Sequence, residues 1–355
     1  MPLECGADPD FQDMVRSFFG RELAERERAD AQRGFDAEAW EQLDEMGFAQ
    51  LTASEDRGGS GASLAEAVAL LYAVGGHGVA VPYAEHDLLA AWLTEQADLP
   101  PVTGPTSLVI LPGATAGAPA PGDAFSAPVA EGVERLLAVR LDAGGGAFAG
   151  GTVIDLAAMD FDIVSTEYTA AEARSGIRLN AAAPQPVAIP ADVARELWLR
   201  GALARSVQIV GALDRCVTEA AGHAAVRVQF GRPLTRFQAV QALLADASAE
   251  AAVAAAAVEW AVVAWLEAGE PTVEVERAIA VAKSCAAHAV EPVTRNAHQV
   301  LGAMGTTLEH DLHRFTLPPL LWRDEFGSAR DWDAWIARDA VAGGGKLWAK
   351  LAPIS

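Results

Sequence analysis

The sequence has few of the residues that build disulfide frameworks or nucleic-acid surfaces. Its three cysteines, Cys5, Cys216 and Cys285, are odd in number and form no CxxC pair. We therefore expect reduced thiols rather than a disulfide or zinc framework. Basic residues number 26 against 48 acidic ones, which gives a formal charge of −22. Such a charge disfavours binding to phosphate backbones and to anionic lipid surfaces.

Long apolar runs are also missing. No stretch reaches the roughly 20 uninterrupted apolar residues that a membrane helix needs, and residues 1–10 lack the apolar core of a signal peptide. A hydrophobic share of 51% with 21% charged residues excludes wholesale disorder. We expect a soluble, cytoplasmic protein of two or three domains, with no nucleic-acid and no membrane partner.

The hydrophobic periodicity changes twice along the chain. Apolar residues at helical spacing predict helices within 11–47, 63–75 and 83–96. Short apolar runs bounded by Gly, Pro and Asp then predict strands. Alanine-rich stretches predict four further helices, which are 193–226, 236–268, 272–303 and 330–342.

This layout predicts a mainly α protein. We expect an N-terminal α-helical domain over 1–105, a reduced middle β domain over 106–190, and a C-terminal α-helical bundle of four helices over 191–355. The glycine-rich run 144–151 is interpreted as a loose turn, because it lacks the Lys-Ser/Thr of a P-loop and enters no helix through G-x-G-x-x-G.

Two segments of the C-terminal section carry the most specific pattern. The first reads Arg227-Val228-Gln229-Phe230-Gly231-Arg232-Pro233 and continues into Phe237-Gln238; the second reads Gln299-Val300-Leu301-Gly302-Ala303-Met304-Gly305. In the first, Arg227 offers a forked cation suited to a pyrophosphate. Phe230 offers an aromatic wall, and Gln229 and Gln238 offer amides. Taken alone, the segment also fits a helix end with surface Arg and Gln.

Together with the α–β–α layout, these segments resemble the acyl-CoA dehydrogenase family, whose patterns are R-x-x-F-G-x-P…F-Q and Q-x-x-G-G-x-G. The stretches Leu43-Asp44-Glu45-Met46-Gly47 and Gly58-Gly59-Ser60-Gly61 are similar to the family's N-terminal pattern. The resemblance implies that family's fold. It also implies binding of the ADP part of an FAD held mainly by a neighbouring subunit, through Arg227, Gln229, Phe230, Gln238, Gln299, Gly302 and Ala303. Ala303 departs from the family's second glycine.

The residues that the family uses for chemistry are missing or displaced. The family needs a carboxylate base at one of two places. Counting along the motifs brings one place to Gly201 and the other to the turn Phe326-Gly327-Ser328, with Glu325 one residue early. Glu325 is therefore the one alternative for a base, against its interpretation as an ordinary surface acid. The middle section also lacks the family's T-x-P-x-x-G-S-D-like loop over the flavin ring.

This pattern resembles the smaller, non-catalytic subunit of heteromeric bacterial acyl-CoA dehydrogenases. The resemblance implies a heterotetramer with a catalytic-type subunit, an acyl-CoA substrate from fatty acid or sterol side-chain β-oxidation, and an electron-transfer flavoprotein-like acceptor. Three alternatives stay open: a self-sufficient homo-oligomeric dehydrogenase using Glu325, a flavin-free scaffold protein, and a monooxygenase on the same fold. The acyl group, the partner's identity and CoA binding stay open as well.

The remaining polar clusters are interpreted as structural or surface features and not as functional sites. Arg195, Arg200 and Arg205 would offset the acidic charge for CoA, but we interpret them as solvated surface. The segment His310-Asp311-Leu312-His313 lacks a third ligand at useful spacing, so we predict no metal site and interpret it as a polar helix start. His223, His288 and His298, in alanine-rich helices, are interpreted as packed or surface imidazoles.

Overall fold

The structure is a computed structural model. It describes residues 3, 5–20, 35–111, 124–128, 132–144, 147–169, 172–180, 183–307 and 309–344.

The chain divides into two compact units that interleave in sequence. The first consists of Ala7–Val74 and Gly78–Gly201, and the second of Met1–Gly6, Gly75–His77 and Ala202–Ser355. The division into three domains by residue range stays a prediction.

Helices come first, as the periodicity predicts, and two of them begin at an aspartate. The Asp8 side chain accepts hydrogen bonds from the backbone N–H groups of Asp10 and Phe11, and Asp36 accepts one from Ala39. A carboxylate at this position satisfies N–H groups that have no partner within the helix. The helices of this section are α1 Pro9–Phe18, α2 Ala37–Glu45, α3 Leu64–His77 and α4 Trp92–Gln96.

The helix predicted over 83–96 is wider than an α-helix at its start. Residues Ala84–Ala91 form a π-helix, every residue of which is buried, and α4 continues it. Such segments are rare and often mark special sites. Here the widened turns carry Asp87, whose carboxylate accepts from the Thr52 N–H at 2.9 Å, the Thr52 hydroxyl at 3.0 Å and the Tyr83 hydroxyl at 3.1 Å. Asp87 thereby ties the loop after α2 to the π-helix.

The middle section contains the predicted strands, arranged in two sheets. In one sheet the order is β1-β3-β4-β7, with β1 parallel to β3; in the other it is β2-β6-β5, all antiparallel. Buried apolar residues from both sheets, among them Leu136, Ile154 and Ile177, form one core. The strands are β1 Thr106–Ile110, β2 Ala124–Pro128, β3 Arg135–Gly144, β4 Ala147–Ala157, β5 Phe161–Thr169, β6 Glu172–Leu179 and β7 Val187–Ile189.

The glycine-rich run 144–151 is mostly strand, so its interpretation as a loose turn is wrong. Gly144 pairs with Ala147, and Gly151 pairs with Leu141 in the antiparallel β3–β4 ladder. Pairing with β3 decides the conformation and overrides the turn preference of glycine. Residues 145 and 146, between the two strands, lie outside the described residues.

The four long C-terminal helices begin and end within two residues of their predicted limits. The last section contains α5 Ala191–Val226, α6 Gln238–Ala268, α7 Val273–Leu301, α8 Leu312–Thr316, α9 Pro318–Trp322 and α10 Ala329–Ala342. Polar contacts link α7 to both neighbours: Asn296 donates to the Leu243 carbonyl at 3.1 Å, and Arg277 pairs with Asp339 at 2.8 Å. The predicted mainly helical class with a small β region is confirmed.

Among the described helices, α6 alone is long and apolar enough to cross a membrane by length and composition. Its most apolar window has a mean hydropathy of 1.6, and 28% of that window is buried. The core helices of bundles pass the same test, and α6 packs along α7. Alanine supplies much of the hydropathy here, and Glu250, Glu259 and Glu267 interrupt the run.

Candidate functional site

The first family-like segment forms a β-hairpin at the end of α5. Its strands are β8 Val228–Gln229 and β9 Arg232–Pro233, with Gln229 opposite Arg232. Phe230 and Gly231 at the tip have φ values of 51° and 77°, and positive φ at both central residues is the signature of a two-residue hairpin turn. Glycine adopts this backbone easily, whereas phenylalanine is strained in it.

The side chains of this hairpin project into solvent. Phe230 is 91% exposed, and Arg227, Gln229 and Gln238 are exposed as well. Phe237 packs against the tip. The Phe237 ring lies 6.2 Å from the Phe230 ring, and the Arg232 guanidinium lies 4.2 Å from the centre of the Phe237 ring. The four residues predicted to contact the ADP part of FAD therefore lie on one exposed hairpin and the first turn of α6.

The second segment forms the end of α7. The helix terminates at Gly302, whose φ of 63° and ψ of −143° suit glycine alone. Gln299 and Ala303 are exposed, so the methyl group that Ala303 adds to the family pattern meets no crowding from this chain. The second predicted set is accessible to a ligand from outside the bundle.

Histidines lie in the last turns of both α5 and α7, the helices that precede the two segments. Burial lowers the pKa of His223 in the last turn of α5, and the charges of His310 and Arg227 lower it further. Burial also lowers the pKa of His298 in the last turn of α7, and His310 adds to that effect. The charge of His310 thus influences a histidine at the end of each of these two helices.

Glu325 is held in a buried ion pair. Its carboxylate lies 2.6 Å from Nε of Arg205 on α5, and the Arg205 and Glu325 side chains are only 2% and 17% exposed. Arg205 also donates to the Gln208 side chain at 2.6 Å and lies over the Trp322 ring. A guanidinium at this distance stabilises the ionised carboxylate, which makes Glu325 a weak proton acceptor.

Lys283 on α7 completes this buried cluster. The side chain is inaccessible to solvent, and its ammonium donates to the Trp322 carbonyl at 2.8 Å and the Arg323 carbonyl at 2.9 Å. Burial lowers the pKa of Lys283 to about 7; Glu325 opposes this shift and Arg205 adds to it. Sequence reasoning missed this residue, although a single lysine directly after the apolar stretch Ala278–Ala282 is a signal that could have found it.

The turn after Glu325 reverses the chain direction sharply, and no carboxylate stands at its centre. Phe326 and Gly327 have φ values of 52° and 96°, and the Ser328 hydroxyl caps α10. Phe326 is buried and stands where the count along the motifs places the family's carboxylate. At the other place, Gly201 lies inside α5 and has no side chain to accept a proton.

The interpretation of Arg195, Arg200 and Arg205 as solvated surface residues is wrong for two of the three. Arg205 belongs to the buried cluster described above. Arg200 is largely buried, bonded to Glu196 at 2.8 Å and stacked at 4.5 Å over the Trp92 ring. Arg195 is half-buried. Within the described residues, no group of three or more His, Cys, Asp or Glu side chains is placed to hold a metal ion.

Comparison with known proteins gives matches in both helical sections. Residues 8–97 match the family model "Acyl-CoA dehydrogenase, N-terminal domain" and residues 192–319 match "Acyl-CoA dehydrogenase, C-terminal domain". The acyl-CoA dehydrogenase FadE27 of Mycobacterium tuberculosis is 30% identical over 321 residues, which cover 82% of this chain and 85% of that protein.

Two solved structures share the fold. A chain of the ChsE4–ChsE5 complex from Mycobacterium tuberculosis has a TM-score of 0.77 at 24% identity, covering 94% of this chain and 96% of that one. Butyryl-CoA dehydrogenase from Megasphaera elsdenii has a TM-score of 0.76 at 19% identity, covering 94% and 97%. With both domain models and a relative matched over most of its length, this chain belongs to the acyl-CoA dehydrogenase family.

Proposed function

We propose that this chain is the non-catalytic subunit of a hetero-oligomeric, FAD-dependent acyl-CoA dehydrogenase. It completes the FAD site of a catalytic-type partner and supplies no base of its own. The observation that carries the proposal is that neither position of the family's carboxylate base holds a carboxylate. Phe326 stands at the position in the turn, and Gly201 stands at the position in α5. The nearby Glu325 is paired with Arg205 at 2.6 Å. A proton acceptor must reach the substrate, and none of these three residues meets that condition.

The exposed residues fit the adenosine diphosphate part of FAD. Arg227 supplies a forked cation for a pyrophosphate, Gln229 and Gln238 supply amide groups, and Phe230 supplies an aromatic face. Gly302 turns the chain at the end of α7 and leaves open space where a side chain would stand. A site built on an exposed hairpin requires a second surface to enclose the cofactor, and the partner subunit supplies it.

The reaction then belongs to the pair of subunits. The chemistry that bound FAD supplies is acceptance of the hydride from the β-carbon of the acyl chain. A carboxylate of the partner takes the α-proton, and the product is a trans-2-enoyl-CoA. This chain binds and orients the nucleotide end of the cofactor and helps to exclude water from it. An acceptor of the electron-transfer flavoprotein type reoxidises the complex.

A relative supports the two-chain arrangement. The ChsE4–ChsE5 complex, whose chain shares this fold, contains two different proteins. We extend that assembly to this chain because its own cofactor surface is one-sided. The cytoplasmic location stays a prediction.

The flavin content tests the proposal directly. The chain is purified alone and again after co-expression with a catalytic-type dehydrogenase encoded beside it, and flavin absorbance is compared with protein absorbance. We expect a colourless protein alone and about one flavin per two chains in the co-purifying complex. One flavin per chain in the protein alone would overturn the proposal in favour of a self-sufficient enzyme. Flavin in neither sample would favour the scaffold alternative.

Glu325→Gln separates the two enzymatic alternatives. Glutamine fills the same volume and still accepts a hydrogen bond from Arg205, so the variant preserves the buried contact. We expect the acyl-CoA dehydrogenase rate of the complex to stay within about twofold of the native rate, whereas loss of a catalytic base reduces rates by about 10²-fold or more. A loss of that size with the complex intact would assign the base to Glu325.

A further inference from the structure

Helix α6 is apolar on its outer face as well as on the face that it buries. The buried face consists of Ala247, Ala254, Val258, Ala261, Val262 and Trp265. A surface helix usually carries polar and charged residues opposite its buried face. In α6 the opposite face carries an apolar row instead. This outer stripe consists of Ala242, Ala245, Ala249, Val253, Ala256, Trp260 and Val263.

The outer stripe is open to solvent over most of its length. Val253 is 59% exposed and Val263 is 37% exposed. The four alanines are exposed as well, and Trp260 is half-buried. At a rise of 1.5 Å per residue the stripe is about 30 Å long. Single exposed apolar residues are normal on a protein surface, whereas a continuous apolar patch marks an interaction site.

The spacing of the outer stripe fits another helix. Its members follow one another at intervals of three and four residues, which is the spacing at which two helices pack side by side. Alanine at four of the seven positions allows the two helix axes to approach closely. Val253 and Val263 supply larger apolar side chains that such a helix would cover.

The flanks of the outer stripe carry negative charge. Asp246 and Glu250 are exposed along one flank, and the segment 237–276 contains seven acidic residues and no Lys, Arg or His. A two-fold contact pairs the same surface on both copies, so a second copy of this chain would bring acidic flanks against acidic flanks. Like charges across an interface weaken binding. The charges therefore favour a partner helix with basic flanks.

The outer stripe continues the surface that the proposed function assigns to the partner subunit. Gln238, predicted to contact FAD, is exposed in the first turn of α6, one turn before Ala242. Asn296 of α7 donates to the Leu243 carbonyl at 3.1 Å, which places the start of α6 beside the last turns of α7. A subunit that closes over these helix ends reaches the beginning of the outer stripe.

We propose that the outer stripe of α6 is the surface on which the catalytic-type subunit docks, through a helix that has an apolar face and basic side chains on its flanks. The inference rests on the proposed function for the identity of the partner. It adds the surface that holds the two subunits together whether or not the cofactor is bound.

The test places a charge on the outer stripe of the co-expressed complex. Ala256→Glu is the test variant, and Ala337→Glu, at an exposed alanine of α10, is the matched control. Sedimentation velocity over a dilution series gives the Kd of each complex. We expect Ala256→Glu to raise this Kd about 100-fold or more, because an unpaired carboxylate enters an apolar interface. The control should leave it unchanged.

An unchanged Kd in Ala256→Glu would overturn the inference. Circular dichroism and thermal unfolding of the isolated chains show whether each variant folds. Val253→Asp is a second variant on the same stripe, and it should weaken the complex in the same way.

Reversal of the flanking charges tests the basic character of the partner. The double variant Asp246→Lys, Glu250→Lys should weaken the complex about tenfold at low ionic strength. Most of this difference should disappear at 1 M salt, where the screening length is about 3 Å. An unchanged Kd at low ionic strength would contradict the basic flanks.

Other occupants of the outer stripe give different results. If a second copy covers it, the native chain alone forms a dimer, Ala256→Glu makes it monomeric, and the charge reversal strengthens the dimer. If a membrane covers it, the native chain binds phosphatidylcholine vesicles and Ala256→Glu does not. Either result would overturn the inference.

The flavin content separates failure of this inference from failure of the proposed function. If the Ala256→Glu complex stays intact while Arg227→Ala loses its flavin, the docking surface falls and the shared FAD site stands. If Ala256→Glu dissociates the complex while Arg227→Ala keeps its flavin, the docking surface stands and the role of Arg227 falls. If the native chain forms no complex with the catalytic-type subunit, both fall.

Discussion

Three charged side chains of the second unit form a buried cluster, which includes the acid nearest to the family's base position. Arg205, Lys283 and Glu325 are buried together, and each charge is compensated by a partner or by backbone carbonyls. Taking such groups out of water is costly unless geometry and hydrogen bonds are nearly complete. The arrangement therefore holds the Glu325 carboxylate against Arg205.

Removing both partners of this pair should cost less stability than the two single removals added together. Arg205→Met leaves the Glu325 carboxylate buried without its cation, and we expect the free energy of unfolding to fall by about 3 kcal/mol. Glu325→Leu should have a similar effect on Arg205. The double variant should lose clearly less than the two single losses together. Urea denaturation of the four proteins measures this coupling, and strictly additive losses would contradict the pairing.

Lys283 should make stability depend on pH in a defined direction. Its pKa is about 7 in the folded protein against an ordinary 10.5, so the unfolded chain binds more protons between these values. The free energy of unfolding therefore rises with pH across this window, by at most about 1.4 kcal/mol per pH unit. The cost of burying the charged lysine is present in full below pH 7.

Lys283→Met should abolish this contribution. Urea denaturation of native and variant protein at several pH values from about 7 to 9 gives the comparison. We expect the native protein to gain stability relative to the variant as the pH rises. Parallel pH profiles would show that Lys283 titrates at its ordinary pKa.

The hairpin after α5 carries backbone strain at its exposed tip. Phe230 has a φ of 51° and is 91% exposed, so it bears backbone strain without burial. Phe230→Asn places a residue that tolerates this conformation. We expect the isolated chain to gain about 1 kcal/mol in unfolding free energy, while the complex loses FAD affinity because the aromatic face is gone. Thermal unfolding and flavin binding measure the two effects.

Gly231→Ala is the control for the strain argument. Its φ of 77° disfavours alanine although open space surrounds the position, so this variant should destabilise the isolated chain. Stabilisation by Gly231→Ala, or destabilisation by Phe230→Asn, would contradict the assignment of strain to the tip.

At the scale of the whole molecule, FAD should stabilise the complex and not the isolated chain. A ligand that binds only the folded state adds about 2.7 kcal/mol when its concentration is 100 times its Kd. Because this chain presents a one-sided surface, we expect a rise in Tm with added FAD only in the presence of the partner. Differential scanning calorimetry of both samples, with and without FAD, gives the result. An equal rise in the chain alone would contradict the shared site.

Element types followed from local sequence, while several details depended on long-range contacts. The alanine-rich helices matched their predicted limits because helix propensity and caps act within a few residues. The run 144–151 did not match, because the β3–β4 ladder supplied its hydrogen bonds. The π-helical start of 84–96 carried no sequence signal. Likewise, Arg200 and Arg205 read as surface residues, since their partners Trp92 and Glu325 lie far away in sequence.

The sequence by itself determined the family and the helical sections, because these depend on residue type and short spacing. Only the tertiary structure decided what the charged residues do. It paired Glu325 with Arg205 across 120 positions and set the Lys283 ammonium against the carbonyl groups of Trp322 and Arg323. Burial and electrostatic partners arise from contacts between distant segments, and such contacts determine whether a carboxylate is free to take a proton or is held by a cation.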